Sequence, residues 1–382
     1  MTGFPPSTAV TPDMSARPVI LLAAGGTGGH LFPAEALARE LNARGLSVAL
    51  ATDSRVTGHV AEFPAEKIYE IPSATPSRKS LPVMAKAALT LARGFWRARG
   101  LLRKELRPAV VVGFGGYPSV PPLMAAASAG ARSIIHEQNA VLGRANKFLA
   151  GHVTALATGF AEVGGVPDSV RGRMHHVGNP VRPAVLEAAK TPMPAFAAGG
   201  TLRLLAFGGS QGARVMSDIV PAAVALLSPA QRARLHVTQQ ARPEDLERVR
   251  ARYAGMDVDA TVEPFFSDLP AKIAASHLVV ARSGASTVAE LGVIGRPSIL
   301  VPLPGSLDQD QAANAATLSA IGAAVVIPQP EFTATRLHDE IAARLADASL
   351  LTAAADAARG AGIPDAASRL ADLVMQVGGL TA

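Results

Sequence analysis

Apolar residues in this chain fall in short unbroken runs, and each run leads into small or polar residues and then into a helical period. The run "PVILLAA" (18–24) reads as a buried strand. Downstream, Ala34, Leu37, Ala38 and Leu41 recur at i, i+3, i+4 and i+7, which is one face of a helix. Pro33 suits the first turn, where a backbone N–H has no helical partner to lose. Between the two lies "GGTGGH" (25–30), so the order is strand, glycine loop, helix. Such a loop can set backbone N–H groups and a helix N-terminus against an anion. It serves equally well as a tight turn that binds nothing. Its spacing is not G-x-G-x-x-G, and no Lys-Ser/Thr follows.

The layout occurs again half a chain later. "LRLLAF" (202–207) leads to Gly208, Gly209, Ser210, Gln211 and Gly212, and then to a second helical period. Between the two loops, "AVVVGFGGYPSV" (109–120) and "ARSIIHEQN" (131–139) are further strands with unusual endings. The second half adds "HLVVARSGASTVAE" (277–290) and "PSILVPLPGSLDQDQAANA" (297–315). In a parallel sheet the loops after the strands gather on one edge, where ligands bind. The pattern predicts an α/β protein of two Rossmann-like domains, their parallel sheets facing each other across a cleft. Glycine and proline in "HHVGNPVRP" (175–183) mark the break. The expected division is a loose tail over 1–17, one domain over 18–177 and a second over 178–382.

Composition narrows the classes. Of 382 residues, 49% are hydrophobic and 17% charged, which suits a globular chain with large cores. There is no cysteine, which excludes disulfides, thiolate catalysis and cysteine-ligated zinc. A net charge of +6 suits anionic partners: nucleic acid, nucleotides or an acidic membrane face. With 12 Phe, 3 Tyr and 1 Trp and no RNA-module signature, stacking on single strands is not expected. The Pro-, Ser- and Thr-rich first 17 residues lack the basic start and apolar core of a signal peptide. No unbroken apolar stretch is long enough to predict a spanning helix.

One segment stands apart. In "MAKAALTLARGFWRARGLLRK" (84–104), Met84, Ala88, Leu91, Phe95 and Leu102 are expected along one helical face. From Arg78 to Arg107 nine Lys or Arg accompany a single acid, Glu105. Lys86, Arg93 and Arg97 beside Phe95 and Trp96 suit the headgroup region of an anionic membrane. A crossover helix with a solvated basic face explains the same residues, and on the residues alone it is the simpler reading.

Few side chains suggest chemistry by themselves. His30 ends the first glycine loop, where the positive end of a helix dipole favours a neutral ring and so a general base. A histidine that only caps the helix is the plainer account, and the same holds for His136. Glu290 follows Thr287 by three positions, a capping-box spacing, and is also placed to grip two ribose hydroxyls. Asp308 and Asp310, two positions apart with no third ligand, are weak as a metal site, and a sugar-binding polar loop fits as well.

Taken in order, "GGTGGHLFPAEALA", "GFGGYPSVPP", "HEQNAVLGRANKFLA", "GNPVR", "FGGSQGAR", "ARSGASTVAELGVIGRPSILVPLP" and "DQDQAANA" closely resemble the MurG family over nearly the whole chain after residue 17. Members of that family are bacterial B-type (GT-B) glycosyltransferases. They add N-acetylglucosamine to the lipid-linked muramyl-pentapeptide precursor of peptidoglycan, turning lipid I into lipid II. The resemblance implies an inverting transfer from UDP-N-acetylglucosamine to the acceptor's 4-hydroxyl, on the cytoplasmic face of the inner membrane. It implies no cofactor, no metal and no nucleic acid. The C-terminal domain would hold the donor and the N-terminal domain the acceptor, with the last helix a candidate to return to the first domain.

Carried over position by position, Ser210, Gln211 and Gly212 would hold the diphosphate, with charge from Arg182. Ser286, Thr287 and Glu290 would serve the nucleoside, with Glu290 on the ribose. Phe265 and Phe266 would border uracil, and Gln311 would bind sugar hydroxyls. Thr27, Gly28, Gly29 and Asn139 would lie near the reacting carbon, and Tyr117 and His136 on the acceptor side. His30 is the expected base, with Glu137 in reserve. Lys86, Arg93, Phe95, Trp96 and Arg97 become a membrane-docking face. The chain departs from the family at Asp310, where a Gln is usual. Three other readings share the layout: a B-type transferase for another lipid or glycoside, a non-catalytic nucleotide-sugar-binding protein, and a nicotinamide dehydrogenase. The missing G-x-G-x-x-G counts against the last.

Overall fold

A computed structural model describes residues 17–25, 28–54, 62–75, 80–197, 199–306 and 309–381. The first sheet holds β1 (Val19–Ala23), β2 (Ser47–Thr52), β3 (Lys67–Glu70), β4 (Val110–Gly113), β5 (Ser133–Glu137), β6 (Ala155–Thr158) and β7 (Met174–His176). Their spatial order is β3-β2-β1-β4-β5-β6-β7, and every pairing is parallel. The second sheet holds β8 (Leu202–Phe207), β9 (Leu235–Gln240), β10 (Asp259–Glu263), β11 (Leu278–Ala281), β12 (Ser298–Leu300) and β13 (Ala324–Val326). Its order is β10-β9-β8-β11-β12-β13, again all parallel. Both sheets reverse their winding beside the strand that feeds a glycine loop, β1 or β8. Ligands of doubly wound folds bind at such a switch point.

The apolar runs are continuous because both faces of each strand are covered. Val19, Leu21 and Ala23 of β1 enter one core, while Ile20 and Leu22 enter the core on the opposite face. In β8, Leu202, Leu204 and Ala206 face one way and Leu205 and Phe207 the other. Burying each such Leu or Ile contributes about 1.5–3 kcal/mol, so the central strands are the stiffest support available for the loops they carry.

Helix α1 (Gly28–Ala43) follows the first glycine loop, with Leu37, Ala38 and Leu41 in the core as the spacing requires. Helix α2 (Leu81–Gly100) departs from its expected face. Its buried residues are Ala87, Gly94 and Ala98, whereas Met84 and Ala88 are exposed. The small seam lets α2 pack closely: a Cβ on Gly94 would collide with the Pro72 carbonyl. Phe95 packs half-buried against the first core, while other large apolar side chains stay outside, with Leu81 80% and Trp96 66% exposed. α2 packs on helix α3 (Val120–Ala129).

In the second half, helices α4 (Arg214–Leu226), α5 (Ala285–Ile294) and α6 (Asp310–Ala320) begin at the same sheet edge as the glycine loop. The final helix α7 (Ala366–Gly378) crosses back. Its Leu370, Leu373 and Val374 join the core beneath β1, and Asp372 pairs with Arg44 at 2.5 Å. No helix among the described residues is long and apolar enough to cross a membrane.

Candidate active site

On the first sheet, α1 starts at Gly28 and places His30 in its opening turn. Ring atom Nδ1 of His30 lies 3.1 Å from Gln138 Oε1, in the loop after β5. The chain at Gly115 and Gly116 bends past the ring, so a Cβ on Gly116 would lie 3.4 Å from Nε2. Nε2 has no hydrogen-bond partner among the described residues. Tyr117 stands half-buried at the start of the short helical turn after that bend.

Glu137, at the end of β5, is buried and accepts four hydrogen bonds. Asn139 N and Nδ2 donate to Oε1 at 2.9 and 3.2 Å, and Gly143 N and Asn146 Nδ2 donate to Oε2 at 2.8 and 2.9 Å. These bonds use the carboxylate to shape the 137–146 loop, which leaves it poorly placed to take a substrate proton. His136 is 0% exposed, so its ring does not reach an acceptor; Nε2 donates to the Gly178 carbonyl at 2.9 Å. Burial pushes its pKa from 6.5 down to about 4, so the ring is neutral.

On the second sheet, residues 208–215 line a cavity of about 650 Å³ together with Arg242, Arg282, Gly284, Thr287, Gln311 and Gln329. The N–H of Gly208 is taken by Gln240 Oε1 at 3.0 Å. Those of Gly209, Ser210 and Gln211 have no partner among the described residues. Gly212 closes the loop at φ +67°, and a Cβ there would meet Arg242 Cγ at 2.8 Å. Free N–H groups, the N-terminus of α4 and nearby guanidinium groups together make an anion site suited to a diphosphate. Gln311 Oε1 accepts from Leu303 N at 3.0 Å, which leaves its amide nitrogen for a ligand. Asp310 bonds the Gln311 N–H at 2.7 Å and so orders the start of α6.

Glu290 is not part of a capping box. Helix α5 starts from Gly284 with no side-chain cap, and Glu290 lies beyond its first turn, buried, 2.9 Å from Arg182. Burial raises its pKa above the ordinary carboxylate value, against the opposing pull of the Arg182 charge. The Arg182 guanidinium also stacks 4.5 Å from the ring of Phe32 on α1. Phe32, Gln138, Arg182, Ser286 and Glu290 line one narrow cleft, fed by both halves of the chain. A second junction lies beside it. Asn314 on α6 accepts from Ala140 N at 2.8 Å and donates to Asn139 Oδ1 at 3.0 Å.

The structure thus gathers Ser210, Gln211, Gly212, Thr287 and Gln311 around one cavity, and Arg182, Ser286 and Glu290 around the adjoining cleft. The two phenylalanines separate: Phe265 is exposed, whereas Phe266 is buried in the core with Lys272 against its ring, so only Phe265 is open to a base. Thr27 and Asp308 lie outside the described residues. Gly28 and Gly29 are the first residues of α1. Arg242, Arg282, Gln329 and Asn314 carried no expectation. Arg282 directly follows β11 and Arg242 stands just beyond β9, so the strand-end rule points to both. Nothing local marks Gln329 or Asn314.

Comparison with known proteins gives the family and the fold. Residues 20–158 match the glycosyltransferase family 28 N-terminal domain, and residues 203–370 match the C-terminal domain of that family. The chain belongs to glycosyltransferase family 28. It is 61% identical over 369 residues to the UDP-N-acetylglucosamine--N-acetylmuramyl-(pentapeptide) pyrophosphoryl-undecaprenol N-acetylglucosamine transferase of Methylobacterium radiotolerans, covering 95% of this chain and 99% of that one. The protein of the same name from Bradyrhizobium sp. is 55% identical over 366 residues, covering 96% and 100%. Among solved structures, MurG of Acinetobacter baumannii superposes with a TM-score of 0.76 at 28% identity, covering 94% of this family 28 chain and 99% of its own. A kitacinnamycin glycosyltransferase, at TM-score 0.67 and 19% identity over 94% of this chain and 99% of its own, shares the fold.

Proposed function

We propose that this family 28 enzyme transfers N-acetylglucosamine from UDP-N-acetylglucosamine to the 4-hydroxyl of undecaprenyl-pyrophosphoryl N-acetylmuramyl-pentapeptide, the lipid I to lipid II step of peptidoglycan synthesis. The names of its near relatives support the substrates. The observation that carries the reading is a cleft lined by both halves, by Phe32 and Gln138 of the first and by Arg182, Ser286 and Glu290 of the second. The second half carries the free N–H groups of 209–211, and the first carries the unpartnered Nε2 of His30, which Gln138 contacts through the other ring nitrogen. Asn314 ties the two halves together.

The acceptor oxygen attacks the anomeric carbon from the face opposite the diphosphate. The bond from that carbon to the phosphate oxygen breaks, and its electron pair leaves with UDP. The hydroxyl proton passes to His30 Nε2. Charge developing on UDP falls on the N–H groups of Gly209, Ser210 and Gln211, on the α4 N-terminus and on Arg182. Glu290 and Gln311 take ribose and sugar hydroxyls, and Tyr117 takes the acceptor. The lipid tail of the acceptor requires a membrane surface. The exposed Leu81, Leu89 and Trp96 of α2, with Lys86, Arg93 and Arg97, suit the anionic cytoplasmic face of the inner membrane, whereas Phe95 packs inward against the first core.

UDP release from UDP-N-acetylglucosamine, followed with and without a lipid-linked muramyl-pentapeptide analogue, tests the reading. Release that depends on the acceptor is expected. Donor binding with no acceptor-dependent turnover would point to a different acceptor.

A further inference from the structure

We infer that Gln138 sets the tautomer of His30, through a relay that starts at the Gly178 carbonyl, and so presents Nε2 as the bare, proton-accepting nitrogen. The inference rests on the reading of His30 as the base and deepens it.

The relay has one starting constraint, and each later choice follows from it. The Gly178 carbonyl can only accept, so the 2.9 Å contact requires a proton on His136 Nε2. His136 is fully buried and neutral, so its Nδ1 is then bare. Gln138 Nε2 lies 3.0 Å from that bare Nδ1 and 3.0 Å from the His136 carbonyl oxygen. Both are acceptors, so the amide group must face them with its NH2 end. A flipped amide would set its oxygen against two acceptors in a dry site. Gln138 Oε1 is thereby turned to His30, and at 3.1 Å it can only accept. The proton of neutral His30 is held on Nδ1, and the lone pair stands on Nε2, beside the open bend at Gly116.

Gln138 is pinned as well as oriented. Its own carbonyl accepts from Asn179 Nδ2 at 2.9 Å, and the residue is 3% exposed. Gly178 and Asn179 both belong to the segment that leaves the first sheet for the second. The relay therefore ties His30 to the connection between the halves. Gln138 touches neither reacting atom in this scheme and is a positioning residue. A histidine in the wrong tautomer presents N–H where the base needs a lone pair, and catalysis fails though the ring is in place.

The test is a long-range ring ¹⁵N–¹H spectrum of the full chain labelled at histidine, with the His30 signals identified by their loss in His30→Asn. At neutral pH the wild-type protein is expected to show His30 protonated at Nδ1 and bare at Nε2. In Gln138→Met the ring is expected to shift toward the Nε2–H form. There kcat is expected to fall by about 10- to 100-fold, part of the about 10²–10⁴ that a general base contributes, with donor KM held within about two-fold. A wild-type ring protonated at Nε2 overturns the inference without any variant, as does an unchanged tautomer in Gln138→Met. Turnover retained by His30→Ala would overturn the base reading and Gln138's catalytic part with it, while the spectrum reports the tautomer separately.

Discussion

The two glycine loops share one layout and use it in opposite ways. After β8, the 208–212 loop works through its backbone. One N–H is spent on Gln240, three stay free, and a left-handed glycine closes the turn. After β1, the helix places a side chain, His30, and a second strand end supplies the glutamine that orients it. A backbone site needs only residues small enough to let the chain bend. A side-chain site needs buried partners from far along the sequence. The first tolerates changes in its surroundings and fails when its own glycines change; the second depends on surroundings that never touch the substrate.

The sharpest way to break the contrast is His30→Ala. The first loop should lose about 10²–10⁴ in kcat with donor KM nearly unchanged, as steady-state kinetics would show. Acid is the next lever, and on the first sheet it acts through His136, at the start of the relay that ends at His30. His136 is neutral in the fold with its pKa lowered to about 4, so its contribution to stability is complete above its ordinary value of 6.5. That contribution is lost as pH falls from there toward 4, which amounts to roughly 2–4 kcal/mol. Urea titrations across that range should show the slope, and His136→Gln should reduce it, leaving the part that comes from His176 and His277, whose pKa values burial also lowers.

Gly212→Ala attacks the other loop. A left-handed alanine pressed on Arg242 costs about 1–3 kcal/mol. Donor affinity measured by calorimetry should drop about 5- to 100-fold while the ring spectrum of His30 stays as it was. Glu290→Ala should raise donor KM by about 10-fold, the value of one or two hydrogen bonds to hydroxyls, with kcat changed little. If donor binding survives intact, the carboxylate serves only Arg182. The smallest effect on chemistry comes from α2. Leu89→Ser with Trp96→Ser should weaken sedimentation with anionic vesicles several-fold, yet leave turnover of a soluble acceptor analogue unchanged.

Much of the fold was legible because it follows from local rules. Buried runs such as "VILLA" and "LRLLAF" became central strands, and "GGTGGH" and "GGSQG" stood at strand ends where a parallel sheet collects its ligands. The α2 face was legible only in part: Phe95 and Leu102 pack against the first core, but Met84 and Ala88 lie outside, because periodicity records which residues share a face and not which face is covered. A seam of Ala87, Gly94 and Ala98 outranked the larger apolar side chains, since small residues let two helices approach. The resemblance put Glu137 forward as a reserve base and His136 on the acceptor side. Four hydrogen bonds and complete burial assign them to holding a loop and a neighbour.

The sequence by itself determined the two parallel sheets, the glycine loop at each switch point and the ordered motifs that mark family 28. Each of these is written in residues close together along the chain. Only the tertiary structure decided that Phe266 is core and Phe265 is not, that Asn314 joins the halves, and that α7 returns to the first core. It alone shows which nitrogen of His30 has a partner. Burial and hydrogen-bond satisfaction belong to pairs of groups, and here the pairs lie up to more than a hundred residues apart, at distances that no local pattern records.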